Sequence, residues 1–204
     1  GNPRVYQVKK QNSTNVLTEY GLDKDKPIVM FVMGSQGSTS VNNIMINVLH
    51  NLRNKPYQVL YVTGNSYYES FIEKFKAKDN IIVIPFVKQT EMLEHVSLIV
   101  TRGGATTATE ICAFNVPSII IPSPYVPNNH QEINAQALVN RKAALMIRES
   151  ELTSDKLIDQ IDNIMEQPSL LNQMSQNTKA LCFINAAEDM IELMEKVVNK
   201  VDLK

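Results

Sequence analysis

The sequence predicts an α/β fold: a Rossmann-like, doubly wound parallel sheet of six strands flanked by helices, with further helices closing the C-terminal end. Three observations carry this. Six short runs rich in Val and Ile alternate with segments of helical pattern. The runs are apolar at successive positions rather than alternate ones, as in strands covered on both faces. After Ser154 the strands stop and only helical patterns follow. Alternating strands and helices are the signature of a parallel sheet with helices on both sides.

Residues 1–26 are less regular, with turn chemistry at Gly1-Asn2-Pro3-Arg4 and a polar lead-in over Leu22–Lys26. The first strand is Ile28–Met33, followed by Gly34-Ser35-Gln36-Gly37-Ser38-Thr39 and a helix over Val41–Leu52. Gln58–Val62 reads as the second strand and Tyr67–Lys76 as a helix. Asp79 and Asn80 make the turn into the third strand, Ile81–Ile84. A short helix over Glu91–His95 precedes the fourth strand, Leu98–Thr101, and Thr106–Phe114 is helical. Ser118–Ile121 is the fifth strand, Gln131–Asn140 a helix and Ala144–Ile147 the sixth strand. Three helices close the chain, over Asp155–Met165, Leu170–Leu181 and Ala186–Val201. Ser154 marks the start of the first of these, and Pro168 opens the second, where the missing N–H does no harm.

Composition excludes several classes. The 204 residues fit one domain or slightly more, and 44% hydrophobic with 20% charged residues is ordinary for a globular protein. A net charge of −1 provides no general field for nucleic acid, so any anion site must be local and no nucleic-acid partner is expected. Cys112 and Cys182 have neither CxxC pairing nor metal-ligand spacing and read as small core residues. No metal or cofactor is expected. No apolar run approaches the ~20 residues that cross a bilayer, and no signal-peptide pattern opens the chain.

Three constellations carry chemistry. Gly34-Ser35-Gln36-Gly37-Ser38-Thr39 follows a strand, where glycines let backbone N–H groups approach an anion. It lacks the Lys of a P-loop and is not a GxGxxG fingerprint, and a plain strand-to-helix turn also needs Gly and a Ser or Thr cap. Thr101-Arg102-Gly103-Gly104-Ala105-Thr106-Thr107 repeats the arrangement after the fourth strand, at the edge where open α/β sheets bind ligands. Glu110, three and four residues beyond Thr107 and Thr106, shares their helix face, and its neighbours Ile111, Cys112 and Ala113 read as buried. An acid there can accept hydrogen bonds from a ribose diol; the alternative is a solvated helix acid. Arg102 pairs either with a phosphate or with a surface acid. The third constellation is Asn128-Asn129-His130-Gln131-Glu132-Ile133-Asn134, after the Pro-rich loop 122–127. Asn128 or Asn129 can cap the helix, and Gln131 and Asn134 can read sugar hydroxyls. His50 and His95 read as structural, and without a GxSxG elbow there is no Ser-His-Asp set.

Taken together, GNPR at the start, GSQGS after the first strand, Pro85-Phe86, TRGGATTATE and PSPYVPNNHQEINA resemble the C-terminal half of bacterial cell-wall N-acetylglucosamine transferases of glycosyltransferase family 28. They fall in the family's order from Gly1 to about Leu181. The resemblance implies one half of a GT-B fold, the half that binds the donor UDP-N-acetylglucosamine or UDP. It implies that Arg4 lies near the nucleotide and that Ser35 and Gln36 face the diphosphate or ribose. It puts the backbone of Val87 on uracil and Ala105, Thr106 and Thr107 on the diphosphate. Glu110 falls on the ribose, and Gln131 and Asn134 on the sugar hydroxyls, with His130 beside them. One departure is Val32-Met33-Gly34, where many relatives carry a double glycine.

The larger departure is that the family's N-terminal acceptor domain, with its general base and its face for the lipid-linked acceptor, has no counterpart in the sequence. No catalytic residue is therefore expected in this half. The chain is expected to bind donor without transferring it, as an excised domain of a longer enzyme or one product of a split gene. The intact enzyme is expected in the cytoplasm or at the cytoplasmic face of the cell membrane. Two alternatives remain at this point: a related transferase acting on a diacylglycerol or other acceptor, and a nucleotide-sugar-binding module without chemistry.

Overall fold

The structure, a computed structural model, describes residues 16–34 and 38–182. Arg4, Ser35, Gln36 and the helix expected over Ala186–Val201 lie outside the described residues. Six strands form one sheet: β1 (Ile28–Val32), β2 (Gln58–Val62), β3 (Ile81–Ile84), β4 (Leu98–Thr101), β5 (Ser118–Ile120) and β6 (Ala144–Met146). Their order is β3-β2-β1-β4-β5-β6, and every pair is parallel. The chain winds outward from β1 to one edge, returns to the middle at β4, and winds to the other edge.

The helices are α1 (Val16–Glu19), α2 (Thr39–Asn51), α3 (Tyr68–Lys74), α4 (Gln89–Met92), α5 (Ala105–Phe114), α6 (His130–Val139), α7 (Ser154–Met165) and α8 (Pro168–Lys179). Single 3-10 turns occupy Pro127–Asn129 and Glu149–Glu151. The two faces of the sheet sort by the two-residue period of a strand. Val29, Phe31, Val59, Tyr61 and Val100 point to one side and pack with α2 and α7. Ile28, Met30, Leu60 and Ile99 point to the other and pack with α4 and α5. Each such buried side chain contributes about 1.5–3 kcal/mol, which is why the strands read as unbroken apolar runs. Gln58 is a polar residue at a strand start: its amide bonds the backbone of Asp23 on both sides, tying the lead-in to the sheet.

The strand bounds of β2, β3 and β4 are those expected from sequence. Asp79, at φ 60°, makes the expected turn before β3, and Pro168 stands at the start of α8. Other bounds shift by one to three residues. The short helix lies at Gln89–Met92, two residues earlier than expected, because the Lys88 carbonyl already accepts from the amides of Glu91 and Met92. Helix α7 begins at Ser154, as expected, and Thr153 caps it, its hydroxyl accepting from the Lys156 amide. Neither Asn128 nor Asn129 caps α6. Both are left-handed, at φ 55° and 49°, and no side chain bonds the first turn.

Candidate functional site

Open parallel sheets bind ligands at the carboxyl ends of their strands, where the winding reverses. Here that point lies between β1 and β4, whose last residues, Val32 and Thr101, stand side by side. The two glycine loops follow these residues, so the topology brings together motifs 67 residues apart in sequence (101 less 34). Gly34, at φ 86°, takes the chain out of β1 through a left-handed turn that side-chain-bearing residues adopt with strain. A cleft opens over this point in two joined chambers of about 660 and 460 Å³, which share Val32, Gly34, Gln89 and Thr107.

Helix α5 starts at the floor of the cleft. Gly104 stands at its N-cap with no side chain to offer, so no side chain covers the first turn. Ala105 and Thr106 are exposed in that turn, and Thr107 lines both chambers. Uncapped amides at a helix start carry partial positive charge and suit an anion. One turn further on, Glu110 is only 5% exposed, so it is not a solvated helix acid. Gln89 Nε2 donates to its Oε2 at 2.8 Å, and with Val87 and Phe86 it lines the smaller chamber. Thr106, expected on the same face, is absent from the lining of either chamber.

The third constellation borders the larger chamber through one residue. Gln131 lines it, while its Oε1 accepts from the Ser123 amide at 2.9 Å and so holds the Pro-rich loop. Asn134 lies outside the lining, and its Nδ2 donates to the Gly103 carbonyl at 3.0 Å. His130 is exposed, its Nδ1 2.9 Å from the Pro127 carbonyl oxygen. The helix sits this close because Gly103 has no Cβ: an added one would stand 2.9 Å from the Gln131 carbonyl carbon. At this position glycine therefore serves packing.

The sequence does not show the partner of Arg102, nor that Ser40, Tyr67 and Glu149 belong to the cleft. Arg102 pairs with an enclosed acid rather than a surface one, its Nη1 donating to Glu149 Oε2 at 2.6 Å. Ser38 and Ser40, at the start of α2, join the same group. Tyr67 lines the larger chamber with its hydroxyl 2.5 Å from Thr39 Oγ1. Glu149 and Tyr67 carry no motif; only the fold brings them here. Among the described residues no group of three or more His, Cys, Asp or Glu could hold a metal ion, and no helix is long and apolar enough to cross a membrane.

Residues 28–194 match the model of the glycosyltransferase family 28 C-terminal domain. The chain belongs to that family. Among curated relatives, the UDP-N-acetylglucosamine–N-acetylmuramyl-(pentapeptide) pyrophosphoryl-undecaprenol N-acetylglucosamine transferase of Halalkalibacterium halodurans is 44% identical over 201 residues, covering 97% of this chain and 55% of the relative. The enzyme of the same name from Bacillus subtilis is 40% identical over the same share of each. The chain thus spans about half the length of the curated relatives it matches. The crystal structure of Acinetobacter baumannii MurG superposes with a TM-score of 0.75 at 24% identity, over 94% of this chain and 53% of that one. A putative UDP-N-acetylglucosamine 2-epimerase from Listeria monocytogenes superposes at 0.72 with 11% identity, over 98% and 53%. These likenesses establish the fold: the family 28 domain described here is a Rossmann-like α/β domain that matches about half of each of these solved chains.

Proposed function

We propose that this chain is the donor-binding half of a UDP-N-acetylglucosamine transferase that glycosylates a lipid-linked acceptor in peptidoglycan synthesis. The observation that carries the reading is the pairing, in one cleft, of an uncapped helix start with a buried acid one turn away. A nucleoside diphosphate offers the matching groups: phosphate oxygens for the amides of Ala105–Thr107 and a ribose diol for Glu110. Gln89 then holds the Glu110 carboxylate in place. Val87 presents backbone to the base and Gln131 faces the sugar; Asn134, tied to the Gly103 carbonyl, and the exposed His130 lie behind it and reach the sugar only if their side chains turn toward the chamber. Arg4, Ser35 and Gln36 complete the set on the nucleotide side. The names of the curated relatives supply the donor and acceptor classes.

Transfer with inversion needs a base for the attacking hydroxyl and stabilisation of the departing diphosphate. The proposed site supplies the second. The three acids that line the cleft among the described residues are otherwise engaged, Glu110 with Gln89, Glu149 with Arg102 and Ser40, and Glu91 with Lys88. We therefore assign the base, the acceptor and the contact with the cytoplasmic membrane face to the half of the relatives that this chain does not match. Calorimetric titration with UDP-N-acetylglucosamine, UDP-glucose and UDP tests the reading. Saturable binding with preference for the N-acetylated sugar is expected, without transfer to a lipid acceptor. Absence of binding for all three at millimolar ligand rejects it.

A further inference from the structure

The wall of the larger chamber contains a closed ring of four side chains. Arg102 Nη1 donates to Glu149 Oε2 at 2.6 Å and to the Ile121 carbonyl at 3.0 Å. Its Nη2 donates to Ser38 Oγ at 2.5 Å. Ser38 Oγ lies 3.0 Å from Ser40 Oγ, and Ser40 donates to Glu149 Oε1 at 2.6 Å. Both charged side chains are enclosed, 12% and 8% exposed. Through the ring the β4–α5 loop, the start of α2, the end of β5 and the turn after β6 are joined. Ser38 occupies the N-cap position of α2 yet makes no cap bond, its hydroxyl being spent on Arg102. The starts of α2 and α5, which both border the cleft, are thereby linked to one another.

We infer that Arg102 and Glu149 are positioning residues for the donor's diphosphate, acting by fixing these two helix starts rather than by touching phosphate. The inference rests on the donor reading above. Arg102 is charge-matched by Glu149 and has three acceptors already, and a planar fork held by several acceptors is rigid in a way that a lysine ammonium is not. The expectation runs against simple electrostatics. Removing a negative charge from the wall of an anion site should tighten anion binding. If the ring sets the geometry, removing it loosens binding, because Arg102 loses its partner and the two loops lose their link.

The test is titration of the chain and its Glu149→Gln, Arg102→Lys and Ser40→Ala variants with UDP and with uridine, after circular dichroism has compared their folds. Glu149→Gln and Arg102→Lys should each weaken UDP about tenfold or more, with uridine unchanged, and Ser40→Ala should weaken UDP by a smaller factor. Ser40→Ala keeps both charges, so it decides the matter if the charge variants do not fold. Tighter or unchanged UDP binding in Glu149→Gln, or unchanged UDP binding in Ser40→Ala, overturns the inference while leaving the donor reading intact. Equal losses for UDP and uridine also overturn it, since the ring would then support the fold in general. A wild-type chain that binds neither ligand rejects the donor reading, and the inference with it.

Discussion

Gly103 lies against the backbone of Gln131 with no room for a Cβ between them, and Asn134, one turn along the same helix, donates to the Gly103 carbonyl. The β4–α5 loop and the start of α6 are thus a single packed unit. Gly103→Ala forces backbone apart, because the obstruction is a carbonyl and not a flexible side-chain tip. Overpacking of this kind costs about 1–3 kcal/mol, and urea unfolding of the variant should show a loss in that range or above it. An unchanged midpoint would mean that the two elements separate freely.

Glu110→Ala should weaken UDP and uridine alike, by about 1.5–3 kcal/mol, since it removes charge-assisted bonds to a group common to both. Gln89→Ala removes the donor that holds the carboxylate and should show the same pattern at smaller size. Titration that finds UDP weakened and uridine untouched would move Glu110 away from the ribose.

Gln131→Ala separates two roles of one side chain. Its Oε1 serves the Ser123 amide, while the proposed reading assigns the side chain to sugar hydroxyls. UDP affinity should hold, and the advantage of UDP-N-acetylglucosamine over UDP should fall. If that advantage persists, Gln131 acts only as the anchor of the Pro-rich loop.

Burial, and secondarily the neighbouring Cys182, push the Cys112 thiol up to about 11. A raised folded-state value means the thiol stabilises the fold in full below its unfolded value of 9.0 and loses that contribution as the pH climbs to about 11. Tyr57 and Tyr61 are also raised by burial, from 10.0, so their losses begin higher. Cys112→Ala should therefore flatten the fall in stability between pH 9 and 10 in urea titrations. Iodoacetamide at pH 8 should leave Cys112 unmodified until the chain is unfolded.

Thr153→Ala removes the single side-chain cap of α7 and should cost about 1 kcal/mol, the usual size for such a cap. Ser154→Ala, one residue on, should cost less. The reverse order would show that Ser154, the first helical residue, supplies the cap instead.

Much of the site was legible because its chemistry is local. Glycines after β1 and β4, an acid one turn into α5 and amides at the start of α6 are all readable as strings, and Glu110 is buried as its apolar neighbours suggested. The cap of α6 was misread for a physical reason: Asn favours both capping and the left-handed region, and at Asn128 and Asn129 the second preference prevails. Arg102 was ambiguous because its partner is 47 residues away in sequence, at Glu149.

The sequence by itself determined the six strands and their parallel winding, since burial on both faces requires unbroken apolar runs and parallel neighbours require helical crossovers. Only the tertiary structure decided which loops meet. The order β3-β2-β1-β4-β5-β6 sets Val32 beside Thr101, brings Glu149 to Arg102 from beyond β6, and presses α6 onto Gly103. Such contacts depend on three-dimensional closeness between residues far apart in the chain, and periodicity, which reports only a residue's own neighbours, carries no record of them.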